Sequence, residues 1–353
     1  MSPAEPRTIL VTGGCGFIGS HFVRLLLRQT PWRVVNLDKL TYAGDPTRVA
    51  DIAHHPRYRF VRGDVADRRL LDDLLAVEWP WAIVNFAAES HVDRSILDPT
   101  PFLDTNVRGV GILLEVARQY KVDRFLQVST DEVYGDADGL LPRTEEAPLR
   151  PSSPYAASKA AADLLCLAYR RTYELPVMIA RGSNNYGPFQ HPEKLIPLVI
   201  RNALIGTELP VYGDGGQRRD WLYVEDNCRA LLIVLARGRV GAVYNIASGI
   251  LTTNLQVVSQ VCEILAEELR TDSRTFLARI RFVQDRPGHD RAYVISTEGI
   301  VREFGWKPEV TLNEGLRHTV QWYLSHRDWL NRSVDDAYQA YYEAVYARGW
   351  GRS

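Results

Sequence analysis

The chain has 353 residues, with 42 Lys and Arg against 43 Asp and Glu and a net charge of -1; that balance excludes a general nucleic-acid or membrane-surface binder but allows a local basic pocket. At 46% hydrophobic and 24% charged residues it has the composition of a globular protein long enough for two lobes. Cys15, Cys166, Cys228 and Cys262 show no metal-ligand spacing, Met1–Arg7 carries no apolar signal, and no run reaches the ~18 apolar residues of a spanning helix, so reduced thiols, no metal and a cytoplasmic setting are expected.

In chain order, short β-branched runs alternate with longer helical patterns. Strands are predicted at Thr8–Thr12, Arg33–Leu37, Tyr58–Arg62, Ala82–Asn85 and Arg124–Ser129, with later strands at Met178–Arg181 and Val243–Ile246. Helices are predicted at Ile18–Arg28, Pro101–Tyr120 and Tyr155–Tyr173. Several strands are solidly apolar, as in a parallel sheet covered on both faces. The fold class expected is therefore α/β, a Rossmann-type doubly wound parallel sheet over residues 1–186 with return strands near 221–248. A smaller lobe over 187–353, mainly 187–220 and 249–353, is expected from the rise in Pro, Gly and polar residues. Ligands of open α/β sheets bind at the carboxyl ends of the strands.

The first strand runs into Thr12-Gly13-Gly14-Cys15-Gly16-Phe17-Ile18-Gly19 and a helix follows. Glycines at 13, 16 and 19 allow a tight turn, approach to a pyrophosphate and close helix–strand packing, with helix N–H groups facing the phosphates. Asp38 ends the second strand, where a carboxylate can accept ribose hydroxyls and repel a 2′-phosphate, favouring NAD; Lys39 beside it weighs the other way. Asp64 and Val65, after the third strand, are positioned to meet the adenine.

Tyr155-Ala-Ala-Ser-Lys159 sets a phenol and an ammonium on one helix face. A neighbouring Lys⁺ and a positive nicotinamide ring favour the phenolate, so Tyr155 is the expected base for oxidation of a hydroxyl. Ser129-Thr130-Asp131-Glu132-Val133-Tyr134-Gly135 follows a buried strand. Two adjacent carboxyl groups there cap a short helix, or serve as an acid and a base if their environments separate their pKa values.

These motifs, together with Ala87–Ser95, Ser152–Lys159, Asn184–Pro188, Pro192–Pro197, Arg219–Asp226 and Asp285–Asp290, closely resemble the dTDP-glucose 4,6-dehydratases of the extended short-chain dehydrogenase/reductase superfamily, from about Arg7 to Ala347. The Thr-Asp-Glu triplet is the most specific, because related 4-epimerases usually lack the acid pair. The resemblance implies a lyase mechanism: Tyr155, with Lys159 and Thr130, deprotonates the C4 hydroxyl as hydride passes to NAD. Glu132 then removes the C5 proton while Asp131 protonates the departing C6 hydroxyl, and hydride returns to C6.

It further implies that Phe86, Ala87, Ala88 and Thr105 join Gly13, Gly16, Phe17, Ile18, Gly19, Asp38, Lys39, Asp64 and Val65 on the cofactor path. Ser90, Thr130, Asn184, Lys194, Leu195, Pro210, Tyr212, Arg219, Asn254, Arg286 and His289 would hold the nucleotide sugar, Arg219 and Arg286 suiting a diphosphate. A homodimer pairing Pro101–Tyr120 and Tyr155–Tyr173 as a four-helix interface is implied too. The resemblance also implies a product for deoxysugar biosynthesis, whether rhamnose or another deoxysugar.

Three features depart from the family: Ser296 in place of an Asp, Gly299 near a usual Lys, and Ala156 in place of a Ser. Ser296 is still expected to cap the helix after it. A UDP-glucose 4,6-dehydratase would share these catalytic residues, the base of its substrate differing by one methyl. A nucleotide-sugar 4-epimerase would share Tyr155 and Lys159 but not need Asp131 and Glu132, and a non-catalytic NAD-binding regulator would need neither pair.

Overall fold

The computed structural model describes residues 6–334 and 336–347; the start of the segment read for a targeting signal and the last six residues of the predicted second lobe lie outside the described residues. Twelve strands are present among these: Thr8–Thr12 (β1), Arg33–Asp38 (β2), Tyr58–Arg62 (β3), Ala82–Asn85 (β4), Arg124–Thr130 (β5), Val177–Gly182 (β6), Asn184–Tyr186 (β7), Leu209–Tyr212 (β8), Arg218–Tyr223 (β9), Val243–Ile246 (β10), Leu251–Thr253 (β11) and Ile280–Val283 (β12). Seven form one sheet in the order β10-β6-β5-β4-β1-β2-β3, every pairing parallel. The winding reverses between β1 and β4, which opens a crevice at their carboxyl ends. This is the Rossmann-type sheet expected.

Alternation along each strand sends successive side chains to opposite faces. Ile9 and Val11 of β1 join Val34, Val84, Phe22, Leu26 and Leu231 in one core layer. Leu10 joins Val35, Ile83, Leu71, Leu114 and Cys166 in the other. Both faces are covered, by helices Phe17–Gln29 and Val224–Arg237 on one side and Arg68–Glu78, Val110–Gln119 and Pro154–Tyr173 on the other. Solid apolar strands follow from this double cover.

The helix expected over Pro101–Tyr120 is not uniform. Thr100–Phe102 leads into a wider π-type stretch, Leu103–Gly109, before α geometry resumes at Val110. The widened turns carry buried Asn106, whose side chain accepts from the Glu89 N–H and donates to the Glu89 carbonyl and Ser158 Oγ. Such stretches cluster at functional sites, and this one clamps the loop after β4 to the helix bearing Tyr155.

β9 belongs to a small sheet with β7 and β11, while β8 pairs with β12. Only after β9 does the chain return to the large sheet, through helix Val224–Arg237 and β10. A separate buried cluster, including Ile196, Val199, Val258, Val261, Leu316 and Val320, is built by helices Leu195–Ile205, Asn254–Leu269 and Leu312–Ser325. Capping boxes, Thr253 with Gln256 and Thr311 with Glu314, start the last two.

Candidate active site

β1 ends at Thr12 and the chain turns through Gly13, at φ 72°, into the helix capped by Gly16. A Cβ on Gly13 would lie 2.6 Å from the Ala87 nitrogen, and one on Gly19 would lie 2.3 Å from the Gly13 carbonyl oxygen. Only glycine permits both approaches. The first helical turn carries no acidic side chain, so its free N–H groups can face an anion.

Asp38 is buried at the end of β2; Oδ2 accepts the Cys15 N–H and Oδ1 the Leu40 N–H, each at 2.8 Å. Burial pushes its carboxyl up, and the two N–H groups pull it back. Each oxygen keeps a lone pair, so holding the loop does not preclude accepting ribose hydroxyls. Lys39 is engaged by Asp64, Nζ to Oδ2 at 2.6 Å. Burial raises the Asp64 carboxyl, but Lys39 outweighs it and holds the group low. One crevice is lined by every residue expected on the dinucleotide path: this loop, Asp38, Lys39, Asp64, Val65, Phe86, Ala87, Ala88, Thr105, Tyr155 and Lys159. A glycine cradle that a Cβ would fill, an acid-free helix start and a buried carboxylate after β2 fit NAD.

Ser153 caps helix Pro154–Tyr173 by accepting the Ala156 N–H, and the Tyr155 N–H donates to Ser95 Oγ at 3.1 Å. Both Tyr155 and Lys159 are buried. Burial, then Glu132, push the Tyr155 phenol above its ordinary value, with Thr130 pulling it back. In the chain alone the phenol faces two carboxyl groups, while Lys159 Nζ donates to the Val128 carbonyl at 2.7 Å; the positive nicotinamide ring on which the expected phenolate also relies comes with bound NAD. Burial also draws Lys159 down, against Asp163 one turn along.

At the end of β5, Thr130 Oγ1 accepts the Glu132 N–H at 3.3 Å and donates to Asp131 Oδ1 at 3.2 Å. Thr130 is thus the cap of the turn Asp131–Tyr134, which frees the two acids from that duty. Burial and Glu132 push Asp131 well above the usual carboxylate range, and its Oδ2 is buried with no hydrogen-bond partner among the described residues. Glu132 is raised by burial, but Arg286, Arg219 and Lys194 all oppose this. The neighbours therefore differ: Asp131 is set to keep its proton, and Glu132 faces three cations. Beneath them Arg181 pairs with Asp163 at 2.8 Å and donates to Tyr134 Oη at 2.7 Å, all buried. Removing one partner of such a pair costs ~3–5 kcal/mol.

Of the residues expected on the nucleotide sugar, Ser90 and Lys194 line the crevice itself, and Lys194 Nζ donates to the Ser90 carbonyl at 2.8 Å. Arg219, on β9, donates to the Asp290 carbonyl and lies 4.3 Å from the Tyr293 ring centre. Arg286 Nη1 donates to Asp93 Oδ1 at 3.1 Å. Tyr212 Oη donates to Asp93 Oδ2, and His289 Nδ1 meets Asp285 Oδ1 at 2.6 Å. Asn184 and Asn254 each keep a buried Oδ1 without a partner among the described residues. Leu195 opens a helix and Pro210 sits in β8; neither touches the acid pair through a side-chain hydrogen bond.

Three residues were missed from sequence. Tyr293 Oη donates to Asp290 Oδ2 at 2.8 Å and lies 3.5 Å from Glu132 Oε2. Glu193, buried, pairs with Arg94 at 2.8 Å. Asp93 collects Arg286 and Tyr212. Asp93 and Glu193 each stand beside a basic residue in the stretches that carry the resemblance, which was a usable signal; Tyr293 had none. Of the departures, Ser296 Oγ accepts the Glu298 N–H at 3.3 Å, but the N-cap of helix Glu298–Phe304 is Thr297, so the expected Ser296 cap is replaced by a turn bond one residue earlier. A Cβ on Gly299 would lie 2.7 Å from Glu145 Oε1, which accepts the Asn245 N–H. Nothing in the structure explains Ala156.

The family model described as GDP-mannose 4,6 dehydratase matches residues 10–319. A dTDP-glucose 4,6-dehydratase of Neisseria gonorrhoeae is 52% identical over 341 residues, covering 93% of this chain and 98% of the relative. The dTDP-glucose 4,6-dehydratase 1 of Escherichia coli K12 is 48% identical over 356 residues, covering 96% and 98%. The crystal structure of the Streptomyces venezuelae dTDP-glucose 4,6-dehydratase, solved with NAD, superposes with a TM-score of 0.87 at 48% identity, covering 92% of this chain and 99% of that one. Likeness this deep runs through the glycine cradle, the tyrosine helix and the acid turn alike, and the chain belongs to the dTDP-glucose 4,6-dehydratase family.

Proposed function

We infer that this protein is an NAD-dependent lyase that converts dTDP-glucose to dTDP-4-keto-6-deoxyglucose and water. The observation that carries the reading is the adjacent pair Asp131, buried, and Glu132, partly exposed, held in unequal charge environments beside Tyr155. A 4-epimerase has no use for such a pair. NAD, when bound, supplies a reversible hydride acceptor and a positive ring at the crevice.

The roles assigned to the chain follow from its groups. Tyr155, hydrogen-bonded toward Thr130, takes the proton of the C4 hydroxyl. Once C4 is a ketone the C5 hydrogen is acidic, and Glu132 removes it, with Arg286, Arg219 and Lys194 favouring its ionised form. Asp131 gives its retained proton to the departing C6 hydroxyl, which completes an acid–base division of labour between neighbours. Lys159 anchors the end of β5 through Val128 and adds positive charge under the site. Arg219 and Arg286 are assigned to the diphosphate, with Ser90, Asn184, Lys194, Leu195, Pro210, Tyr212, Asn254 and His289 around the rest of the nucleotide sugar.

The division of labour extends to the chain: residues 1–186 with the return segment near 221–248 hold NAD, and 187–353 otherwise hold the sugar nucleotide. A homodimer through helices Thr100–Gln119 and Pro154–Tyr173 is supported by Leu103, Leu164 and Tyr173, which stay half-exposed there. A cytoplasmic enzyme feeding deoxysugar synthesis, rhamnose included, accords with four buried cysteines that form no disulfide.

Incubation with dTDP-glucose, and separately UDP-glucose, in D₂O tests the reading by mass spectrometry and NMR. Loss of one water with deuterium at C5, faster for dTDP-glucose, is expected. Unchanged mass with inverted C4 would mean an epimerase, and faster turnover of UDP-glucose would change the base.

A further inference from the structure

Asp93 lies in the first turn of the six-residue helix Val92–Leu97 and is 1% exposed. An ionised carboxylate so deep is costly unless it is paired and bonded. Three donors meet it: Arg286 Nη1 at 3.1 Å on Oδ1, and Tyr212 Oη at 2.7 Å and Tyr341 Oη at 3.1 Å on Oδ2. Burial pushes this carboxyl up, yet His91, Arg286 and Tyr212 outweigh it and hold it at about 2. The donors come from β8, the loop after β12 and the C-terminal helix Asp336–Tyr342. One side chain therefore gathers three segments of the sugar-nucleotide side onto a helix from the cofactor side.

That helix does a second job. Its Ser95 Oγ accepts the Tyr155 N–H. The element that grips Arg286 is thus the element that seats Tyr155, so the spacing from guanidinium to phenol is fixed through a single turn of helix. Arg286 gives only Nη1 to Asp93, and its Nε is buried without a partner among the described residues. A buried guanidinium N–H left unmatched is expensive and is a donor aimed for an anion.

We propose that Asp93 is a positioning residue that acts through Arg286, holding its guanidinium so that the free Nε–H meets the diphosphate of the substrate at a set distance from Tyr155. The proposal rests on the reading that the site takes a nucleotide-sugar diphosphate. It differs from a general structural role in one respect: it requires Arg286.

A double-mutant cycle of Asp93→Asn and Arg286→Gln separates the two roles. The readouts are KM and kcat with dTDP-glucose, dTDP affinity by calorimetry, and NAD content per chain. Asp93→Asn should weaken dTDP binding and raise KM roughly 10- to 100-fold, the range of a hydrogen bond to a charged group, with kcat changed less than about threefold and NAD content unchanged. In the Arg286→Gln background the same change should add less than about twofold. Equal losses in both backgrounds, or an unchanged KM, would overturn the proposal. Should Asp93→Asn fail to fold, Asp93→Glu enters the same cycle, since it keeps the charge while displacing it by one methylene. Wild-type enzyme that fails to dehydrate dTDP-glucose would defeat the functional reading; a flat cycle in an active enzyme would defeat only Asp93.

Discussion

Asp131 and Glu132 are chemically near-identical groups one residue apart, and what separates them is the third dimension. Asp131 has Glu132 as its next strongest influence after burial, whereas Glu132 has Arg286, Arg219 and Lys194. If Glu132 is the base, Glu132→Gln should abolish deuterium wash-in at C5 and lower kcat by ~10²–10⁴-fold, the usual worth of a positioned acid or base. Asp131→Asn should instead leave C5 exchange running while water loss slows, because the C4 oxidation and C5 deprotonation precede the need for an acid. NMR of the sugar in D₂O distinguishes the two, and normal turnover in Glu132→Gln removes that residue from the mechanism. The identity of these acids was legible in the triplet after β5, as was the Tyr155/Lys159 spacing. The direction of the Tyr155 shift was not, because it depends on two carboxyl groups on the turn after β5 that folding brings up to the helix of Tyr155. Tyr293 was invisible for the same reason: its partner Glu132 is far away in the sequence.

Elements were easiest to read where burial on both faces leaves a solid apolar run. β1, β4 and β10 stand where the sequence put them, as does the more exposed edge strand β3; β2 and β5 are longer by one residue at one end and β6 by one at each end. The widened stretch Leu103–Gly109 was not readable, since it answers to the bonds of Asn106 with Glu89 and Ser158 and not to local propensity. That stretch packs beside helix Pro154–Tyr173, and Leu103 and Leu164 are each 57% exposed on them. If these helices pair across a two-fold axis, Leu164→Arg should turn a dimer into a monomer in sedimentation equilibrium, because an isologous contact places the new charge at the interface twice. The change points away from Tyr155, so the monomer should still bind NAD. A wild-type monomer, or an Arg variant that stays dimeric, would exclude this interface.

At the scale of the whole molecule, the strand order follows from alternating strands and helices with one reversal, so the large sheet was foreseeable. The assembly of β7, β9 and β11 was not, because its pairings join short segments with weak patterns. The loop after β7 meets helix Phe17–Gln29 and the C-terminal helices, and two histidines lose most of their water there, His21 buried and His191 with its side chain 11% exposed. His21 bonds the Pro188 carbonyl at 3.0 Å, and His191 stacks edge-on against Tyr42. Burial lowers both to about 4, with Arg24, Arg28 and Arg48 facing His21 and with Glu193 opposing the shift at His191. A histidine whose folded pKa lies below its unfolded value of ~6.5 binds protons preferentially when unfolded, so stability is full above about pH 6.5 and falls as pH drops toward 4. At pH 5 the loss is about 2 kcal/mol per histidine, a large share of the ~5–15 kcal/mol of a typical domain. Asp93 and Glu193, held at about 2, have depressed folded values and lose their stabilisation only below about pH 4, whereas the raised carboxyls of Asp131 and Glu132 gain stability as pH falls and act against the histidines. Thermal melts at fixed ionic strength, run in parallel on wild type and His21→Gln, isolate the histidine contribution as the difference in how Tm falls from pH 6.5 to pH 5. His21→Gln, which can still donate to the Pro188 carbonyl, should make that slope shallower. A slope unchanged in His21→Gln would mean that this ring is not buried neutral in the folded chain.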